Sequence, residues 1–533
     1  MYIAQLQKCN ANWYTFCNRT TTYYMKITGI KERAETAKRL YPYQEEYIKR
    51  IFDHLQENEK RENIVFQLPT GGGKTVIFSE ISRKYIEEHQ KKILILTHRI
   101  ELLKQTANAL EEAGIHCKLI TSEVEEIPDQ EEYLCFLAMV ETLNNRLKDD
   151  EEYLQDIDLV IVDEAHYNSF RKIFHYFRNA IILGVTATPL SSNQNLPLSQ
   201  NYKKLIIGDS IKELVSKGYL SDATTYTYDV HLGGLKIGID GDYTVSSLDR
   251  IYMHFDMHEK LLRAYREKAL GKKTLIFNSS VATSKSVEKF LSDQGVPIRH
   301  LDSTSNKQDR KEVLQWLKET PDAIVTSVGI LTTGFDEPTV ECIILNRATR
   351  SLTLYHQMIG RGSRRLPTKD HFTVIDLGNN ARRLGLWQDY IDWRDVFINP
   401  EKFLEHLYER EIQMEKGLLY DLPDTVKEQF PNTTDFDFDM EKVYYSLYNK
   451  GKKTLESLDI SIENHFERIK ANTTNYLDAL PLVNILQDEI QYRLNVYISC
   501  LSKATRNYFN YMLESYNEKL HAKLKEALPF SEE

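Results

Sequence analysis

Three short stretches of this 533-residue chain carry residue types that handle phosphate and metal. In "PTGGGKT", Pro69 to Thr75, three glycines stand between an apolar run, "NIVFQL", and a helical one, "VIFSEISRKYIEEH". Gly71, Gly72 and Gly73 let backbone N–H groups close on phosphate oxygens, and a helix N-terminus adds partial positive charge there. Pro69 and Thr70 open this loop, Lys74 would reach the β- and γ-phosphates of ATP, and Thr75 would ligate Mg2+. The usual pattern G-x-x-x-x-G-K-[ST] is met only in part, because its first glycine is Leu68 here.

The second stretch, "DLVIVDEAH", ends an apolar run on two carboxylates, Asp163 and Glu164, where ligands sit in open α/β sheets. Asp163 would hold Mg2+, and Glu164 would orient or deprotonate the water that attacks the γ-phosphate. The third, "QMIGRGSRR", puts Gln357, Arg361, Arg364 and Arg365 with two glycines into nine positions of a chain whose net charge is -10. Arginines bind nucleic-acid backbone readily, so a basic surface patch competes with a role at bound phosphate.

The elements that must position these residues alternate along the chain. The runs "NIVFQL", "KILILTH", "DLVIVDEAH" and "AIILGVTAT" are separated by helical stretches, and "KTLIFNSS", "AIVTSV", "ECIILNRA" and "FTVIDL" repeat the pattern. Such continuous runs, rich in β-branched residues, are those of buried parallel strands, and the segments between them are long enough for crossover helices. Two α/β domains of parallel sheet are expected, over 39–222 and 256–385, with a linker or insertion over 223–255. Beyond 386, Leu and Tyr recur at helical spacing, which predicts a mostly α-helical accessory domain over 386–533. Residues 1–38 form an N-terminal extension without a chemical motif.

The balance of charge is uneven. From Glu401 to Glu533 there are 16 Lys and Arg against 24 Asp and Glu, so this stretch carries -8 and the first 400 residues only -2. A nearly neutral chain can still bind nucleic acid through a local groove, since the contacted phosphates matter and not the global charge. The acidic helical tail is a candidate surface for a protein partner. Six widely spaced cysteines (9, 17, 117, 135, 342 and 500) lack paired zinc-site spacing, and no apolar run reaches membrane-spanning length. A cytoplasmic protein without zinc or membrane is the expectation.

In order, the motifs resemble those of the superfamily 2 helicases and translocases of the DEAH-box kind: "LYPYQ" around Gln44, "PTGGGKT", "LTHRIELLKQ", "DEAH", "TATP", "TLIFNSS", "TSVGILTTGFD" and "QMIGRGSRR". Within that superfamily "LPTGGGKT", "GILTTGFDEP" and "YHQMIGRGSRR" are most similar to RadD-type bacterial DNA-repair ATPases and the motors of type I restriction enzymes. The resemblance implies two tandem RecA-like domains of the P-loop NTPase class with ATP between them. It implies adenine recognition by Gln44, nucleotide contacts by Gly334 and Asp336, and transition-state contacts by Arg361 and Arg364. It places nucleic acid against Thr97, His98, Arg99, Ser279 and Thr326. Coupling between the sites would fall to His166, Thr186, Thr188, Thr333 and Gln357.

The function implied is an ATP-dependent translocase or helicase, acting on DNA in repair or in defence against foreign DNA. An RNA helicase, and a nucleotide-gated switch that recruits a nuclease, are the alternatives.

Overall fold

The computed structural model describes residues 39–57, 60–193, 195–230, 232, 235–238, 241–332, 335–407, 422, 424–501 and 506–530. The expected N-terminal extension lies outside the described residues, as do Thr333 and Gly334. The chain divides into two compact units, one holding the described residues up to 228 and from 237 to 407, the other those of 229–236 and beyond 408.

The first unit contains two sheets. Seven strands form the first: β1 (Ile64–Gln67), β2 (Lys92–Thr97), β3 (Cys117–Ile120), β4 (Cys135–Met139), β5 (Ile157–Asp163), β6 (Ile181–Thr186) and β7 (Lys204–Ile207). Their order is β3-β4-β2-β5-β6-β1-β7, and every pairing is parallel. Helices α1 (Pro42–Gln56), α2 (Lys74–His89), α3 (Ile100–Glu112), α4 (Val140–Asp149) and α5 (Ile211–Ser216) accompany it. Side chains of both sheet faces are covered, which is why β1, β2 and β6 are buried along their whole length.

The second sheet has six strands: β8 (Asp222–Thr227), β9 (Thr274–Asn278), β10 (Ile298–Leu301), β11 (Ile324–Ser327), β12 (Cys342–Asn346) and β13 (His371–Asp376). Their order is β10-β11-β9-β12-β13-β8, again parallel throughout. Its helices are α6 (Val245–Tyr252), α7 (Phe255–Lys268), α8 (Val281–Asp293), α9 (Lys307–Glu319), α10 (Leu352–Ile359) and α11 (Asn380–Leu384), while α12 (Trp393–Ile398) returns to pack beside β7 of the first sheet, with Phe397 in its core. Two parallel-sheet α/β domains of RecA-like type are therefore present, as the alternating runs predict.

The element positions differ from the expected bounds at two points. The stretch 223–255, expected as a linker, supplies most of β8, whose six residues pair in register with β13, and α6, whose Tyr252 hydroxyl donates to the Leu377 carbonyl at 3.0 Å. Residues 386–407, expected in the helical tail, belong to the first unit, where Trp387 and Leu407 join its main core cluster. Neither segment carries a continuous apolar run of the kind that marks the interior strands, so neither announces its burial in sequence.

The second unit is helical: α13 (Met440–Asn449), α14 (Glu456–Ala471), α15 (Tyr476–Ile485), α16 (Gln487–Ser499) and α17 (Arg506–Ala527). Their apolar stripes meet in a core that includes Leu458, Ile462, Ile469, Val483, Ile490, Leu494, Leu520 and Leu524. Among the described residues no helix is long and apolar enough to cross a membrane.

Candidate nucleotide site

The phosphate loop leaves the carboxyl end of β1 and enters α2, with β6 and β7 on either side. Gly71 and Gly73 take positive φ (93° and 82°), a region L side chains rarely adopt, and Gly73 is the N-cap of α2. The loop is also crowded. A Cβ at Gly71 would stand 2.7 Å from Ser363 Oγ, 2.8 Å from Arg364 Nη1 and 2.9 Å from Leu220 Cδ2. One at Gly360 would meet Thr70 Cβ at 2.6 Å. The glycines of "PTGGGKT" and "QMIGRGSRR" thus let the two stretches lie against each other.

Lys74 opens α2 and is buried, and burial lowers its pKa, a shift that the nearby Glu164 and Asp163 oppose. Asp163 ends β5, buried, and its carboxyl is raised by that burial and by the Glu164 charge beside it. Its Oδ1 accepts from the Glu164 N–H at 3.0 Å. Glu164 itself sits at φ 55°, left-handed backbone uncommon for a glutamate. Such an outlier points to a constrained functional position.

Arg361 and Arg364 enter from the loop after α10. Burial brings the Arg361 guanidinium down to about 10, with Arg364 adding to the shift and Glu164 and Asp336 opposing it. Its Nη1 donates to the Phe335 carbonyl, and Arg364 Nε donates to Asp336 Oδ1 at 2.8 Å. Arg365 is exposed. The three arginines of the basic stretch therefore divide, two toward the phosphate loop and one toward solvent.

Several polar atoms of this cluster are buried without a hydrogen-bond partner among the described residues: Thr70 Oγ1, Glu164 Oε2, His166 Nε2, Gln357 Nε2, Arg361 Nε and Arg364 Nη1. Buried polar groups normally find partners, so a concentration of unmet ones marks a place for a polar ligand. The group it would fit is an anion with its metal. Two buried carboxylates face one lysine, and the Thr75 hydroxyl is half-buried at the second position of α2. Hard oxygen donors of this kind suit Mg2+, with phosphate and water completing the shell.

Gln44 is buried, accepts from the Tyr41 N–H at 3.0 Å, and lies against Gly73. Tyr43 donates to the Gly72 carbonyl at 2.8 Å, and the rings of Tyr41 and Tyr43 stand 4.8 and 4.6 Å from that of Tyr219. This aromatic cluster beside the loop was not anticipated from sequence. Its signal was the Tyr spacing in "LYPYQ" together with the "GY" turn near residue 219.

The coupling candidates form a chain. His166, lowered to about 4 by burial, places Nδ1 2.9 Å from Thr186 Oγ1 and 3.3 Å from Glu164 Oε2. Thr186 Oγ1 donates to the Thr188 carbonyl, and Thr188 Oγ1 lies 2.8 Å from Thr353 Oγ1 of α10, across the two domains. Gln357 is buried one turn further on. Gln67, which sequence reasoning passed over, ties β1 to this strand end by donating to the Ala187 carbonyl at 3.0 Å.

Three of the expected nucleic-acid contacts have buried side chains. Thr97 ends β2, Ser279 follows directly on β9 and Thr326 lies within β11, and the side chains of all three are buried. Ser279 Oγ donates to Asp249 Oδ1 at 3.1 Å, while Thr326 Oγ1 accepts from Asn278 Nδ2 at 2.7 Å. His98 and Arg99 keep partial exposure: His98 packs 3.9 Å from the Tyr167 ring, and Arg99 Nη1 donates to the Gly329 carbonyl of the second domain at 3.1 Å.

Comparison with known proteins adds the following. Residues 37–191 match the domain family described as "Type III restriction enzyme, res subunit", and residues 254–365 that described as "Helicase conserved C-terminal domain". The chain is 30% identical over 426 residues to IRC3 of Saccharomyces cerevisiae, named as an ATP-dependent helicase, which covers 73% of this chain and 60% of that protein. It is 24% identical over 378 residues to the type I restriction enzyme EcoAI endonuclease subunit of Escherichia coli, covering 63% of this chain and 45% of that one. Among solved structures, a fragment assigned as the HsdR subunit of a type I restriction enzyme from Vibrio vulnificus YJ016 superposes with a TM-score of 0.52 at 20% identity, over 68% of this chain and 71% of that chain. The chain thus spans less than two thirds of the length of each of these two sequence relatives.

Proposed function

We propose that this chain, whose two domains match restriction-enzyme and helicase families, is a superfamily 2 nucleic-acid-stimulated ATPase that translocates along DNA. One observation carries the ATPase part. Lys74, Asp163 and Glu164 from the first sheet meet Arg361 and Arg364 from the second domain, with buried polar atoms of both sides left without partners.

In this reading ATP lies with its phosphates on Gly71–Gly73 and Lys74, and its base beside Gln44 and the tyrosine cluster. Thr75 and Asp163 would hold Mg2+, which when bound neutralises charge on the β- and γ-phosphates. Glu164 orients the attacking water and takes its proton, giving ADP and phosphate. Arg361 and Arg364 meet the charge that builds on the γ-phosphoryl oxygens in the transition state. Release of that phosphate removes the anion holding the two arginines to the loop, and the Thr188 to Thr353 and Arg99 to Gly329 contacts then carry the change between domains. DNA is favoured over RNA by the restriction endonuclease subunit among the relatives.

The test is ATP turnover by the full chain with single-stranded DNA, duplex DNA, forked DNA or RNA, each at two salt concentrations because phosphate contacts are salt-sensitive. Stimulation by DNA, abolished in Lys74→Ala and Glu164→Gln, is expected. Turnover at the wild-type rate in either variant would remove the site assignment, and stimulation by RNA alone would replace DNA as the track.

A further inference from the structure

The arginine loop is held from behind by groups that the reaction itself does not use. Its three consecutive carbonyls, those of Gly362, Ser363 and Arg364, all have donors. Lys369 Nζ donates to the Gly362 carbonyl at 2.9 Å and to the Val340 carbonyl, just before β12, at 2.7 Å. The Ser221 N–H donates to the Ser363 carbonyl at 2.8 Å. The Ser221 hydroxyl lies 3.0 Å from the Arg364 carbonyl and 3.1 Å from that of Lys369, so its single proton is shared between them. Both side chains are buried, Ser221 completely and Lys369 to within 6%.

We propose that Lys369 and Ser221 are positioning residues that fix the loop of Arg361 and Arg364 against the phosphate loop. The proposal rests on the reading above, in which those arginines act on ATP. A buried ammonium is costly unless it is hydrogen-bonded, and an apolar side chain would fill the same space without that cost. What Lys369 supplies that an apolar residue cannot is a pair of directed bonds from the rigid start of β12 to the peptide between the two arginines. Ser221 adds the link to the first domain. It follows directly on Leu220, which forms a bridge with Arg364 and packs where a Gly71 Cβ would be. The segment joining the two domains thus touches the phosphate loop and the arginine loop together. A guanidinium displaced by an ångström loses its alignment with the transferring phosphoryl group, and such misplacement costs about 10²-fold in rate.

The position has a pH signature. Burial lowers the Lys369 amine to about 8; Glu341 and Glu337, which face it, oppose the shift, and Arg364 adds to it. Loss of its proton above that pH leaves a weaker donor behind the loop.

The experiment measures kcat and KM for ATP, ADP affinity by calorimetry, and the pH profile of kcat in the full chain. Lys369→Met and Ser221→Ala are expected to lower kcat by about 10- to 100-fold with ADP affinity within about twofold of wild type, and Ser221→Thr to restore the rate. Wild type should show an alkaline fall near pH 8 that Lys369→Met lacks. Unchanged kcat in both variants, ADP affinity falling in step with kcat, or an alkaline limb kept in Lys369→Met would overturn the proposal. If Lys369→Met does not fold, Ser221→Ala and the wild-type pH profile decide alone. Lys74→Ala is run alongside: wild-type turnover there sinks the ATP-site reading itself, whereas its inactivity with normal Lys369 and Ser221 variants sinks only this inference.

Discussion

Two regions of this molecule bury charge, and they do so in opposite ways. Around the phosphate loop, Glu164, His166, Gln357, Arg361 and Arg364 all keep buried atoms without partners among the described residues. In the helical unit, Glu489 of α16 is met on both oxygens. Arg468 Nη1 reaches Oε2 at 2.6 Å and Arg493 Nη2 bonds Oε1, while His465 Nε2, 3.3 Å from Oε2, is the one atom of this group left without a hydrogen bond among the described residues. Tyr516 of α17 closes the group, its hydroxyl 2.8 Å from both Ser461 Oγ and His465 Nδ1. Buried polar networks specify a unique arrangement when complete, and where they are incomplete they mark a place for something else. The difference teaches that burial of charge by itself does not identify a site. The unmet atoms do.

The comparison can be broken most severely at the arginine loop. Arg364→Ala should cost about 10³- to 10⁵-fold in kcat, while amide exchange in the sheets of the first unit stays as in wild type. Near-normal kcat with weakened DNA binding would return Arg364 to the surface-patch reading. In the helical unit the expected loss is of stability. Glu489→Ala leaves Arg468 and Arg493 buried without a counter-charge, which should destabilise that unit by about 3–5 kcal/mol, read as faster amide exchange in 456–501 and 506–527. Unchanged exchange there would mean the network is ornamental.

A finer test uses acid. Burial, the largest influence on Glu489, would raise its pKa, yet His465, Arg493 and Arg468 together outweigh it and hold the carboxyl down to about 2, while burial holds His465 down to about 4. Both groups then bind fewer protons in the folded unit than in the unfolded chain, so stability present near neutral pH is lost as pH falls through these values. For Glu489 the depression corresponds to roughly 3 kcal/mol. Glu489→Gln should therefore differ most from wild type at pH 7, and the difference should vanish by about pH 2. A gap that is independent of pH would show that packing, and not the ion pairs, is what the substitution damages.

Interior strands were readable and edges were not. β1, β2, β5 and β6 in the first sheet, with β9, β11, β12 and β13 in the second, are continuous apolar runs because both faces are covered. Four strands that sequence reasoning passed over, β3, β7, β8 and β10, are the four sheet edges, where half-exposed residues break the run. The fifth, β4, is interior, but "CFLAM" lacks β-branched residues and so reads as helix equally well.

The chemistry of the candidate site was legible for a related reason. Phosphate loops, paired acids and arginines need particular residues at fixed local spacing, and local spacing is what a sequence displays. Tyr219, Ser221, Leu220, Thr353 and Lys369 are different: each matters through what it touches more than 100 positions away, such as Gly71 for Leu220, Arg364 for Ser221 and Thr188 for Thr353, or through a carbonyl that any residue could present.

The sequence by itself determined the two parallel-sheet domains, the phosphate loop on Lys74, the acids at Asp163 and Glu164, and the arginine pair, because period and motif are properties of the chain. Tertiary structure alone decided which hydroxyls are buried. It turned Thr97, Ser279 and Thr326 inward, left Arg365 exposed, and set Lys369 and Ser221 behind the arginines. Burial depends on which surfaces pack together, and that is fixed only when distant segments meet.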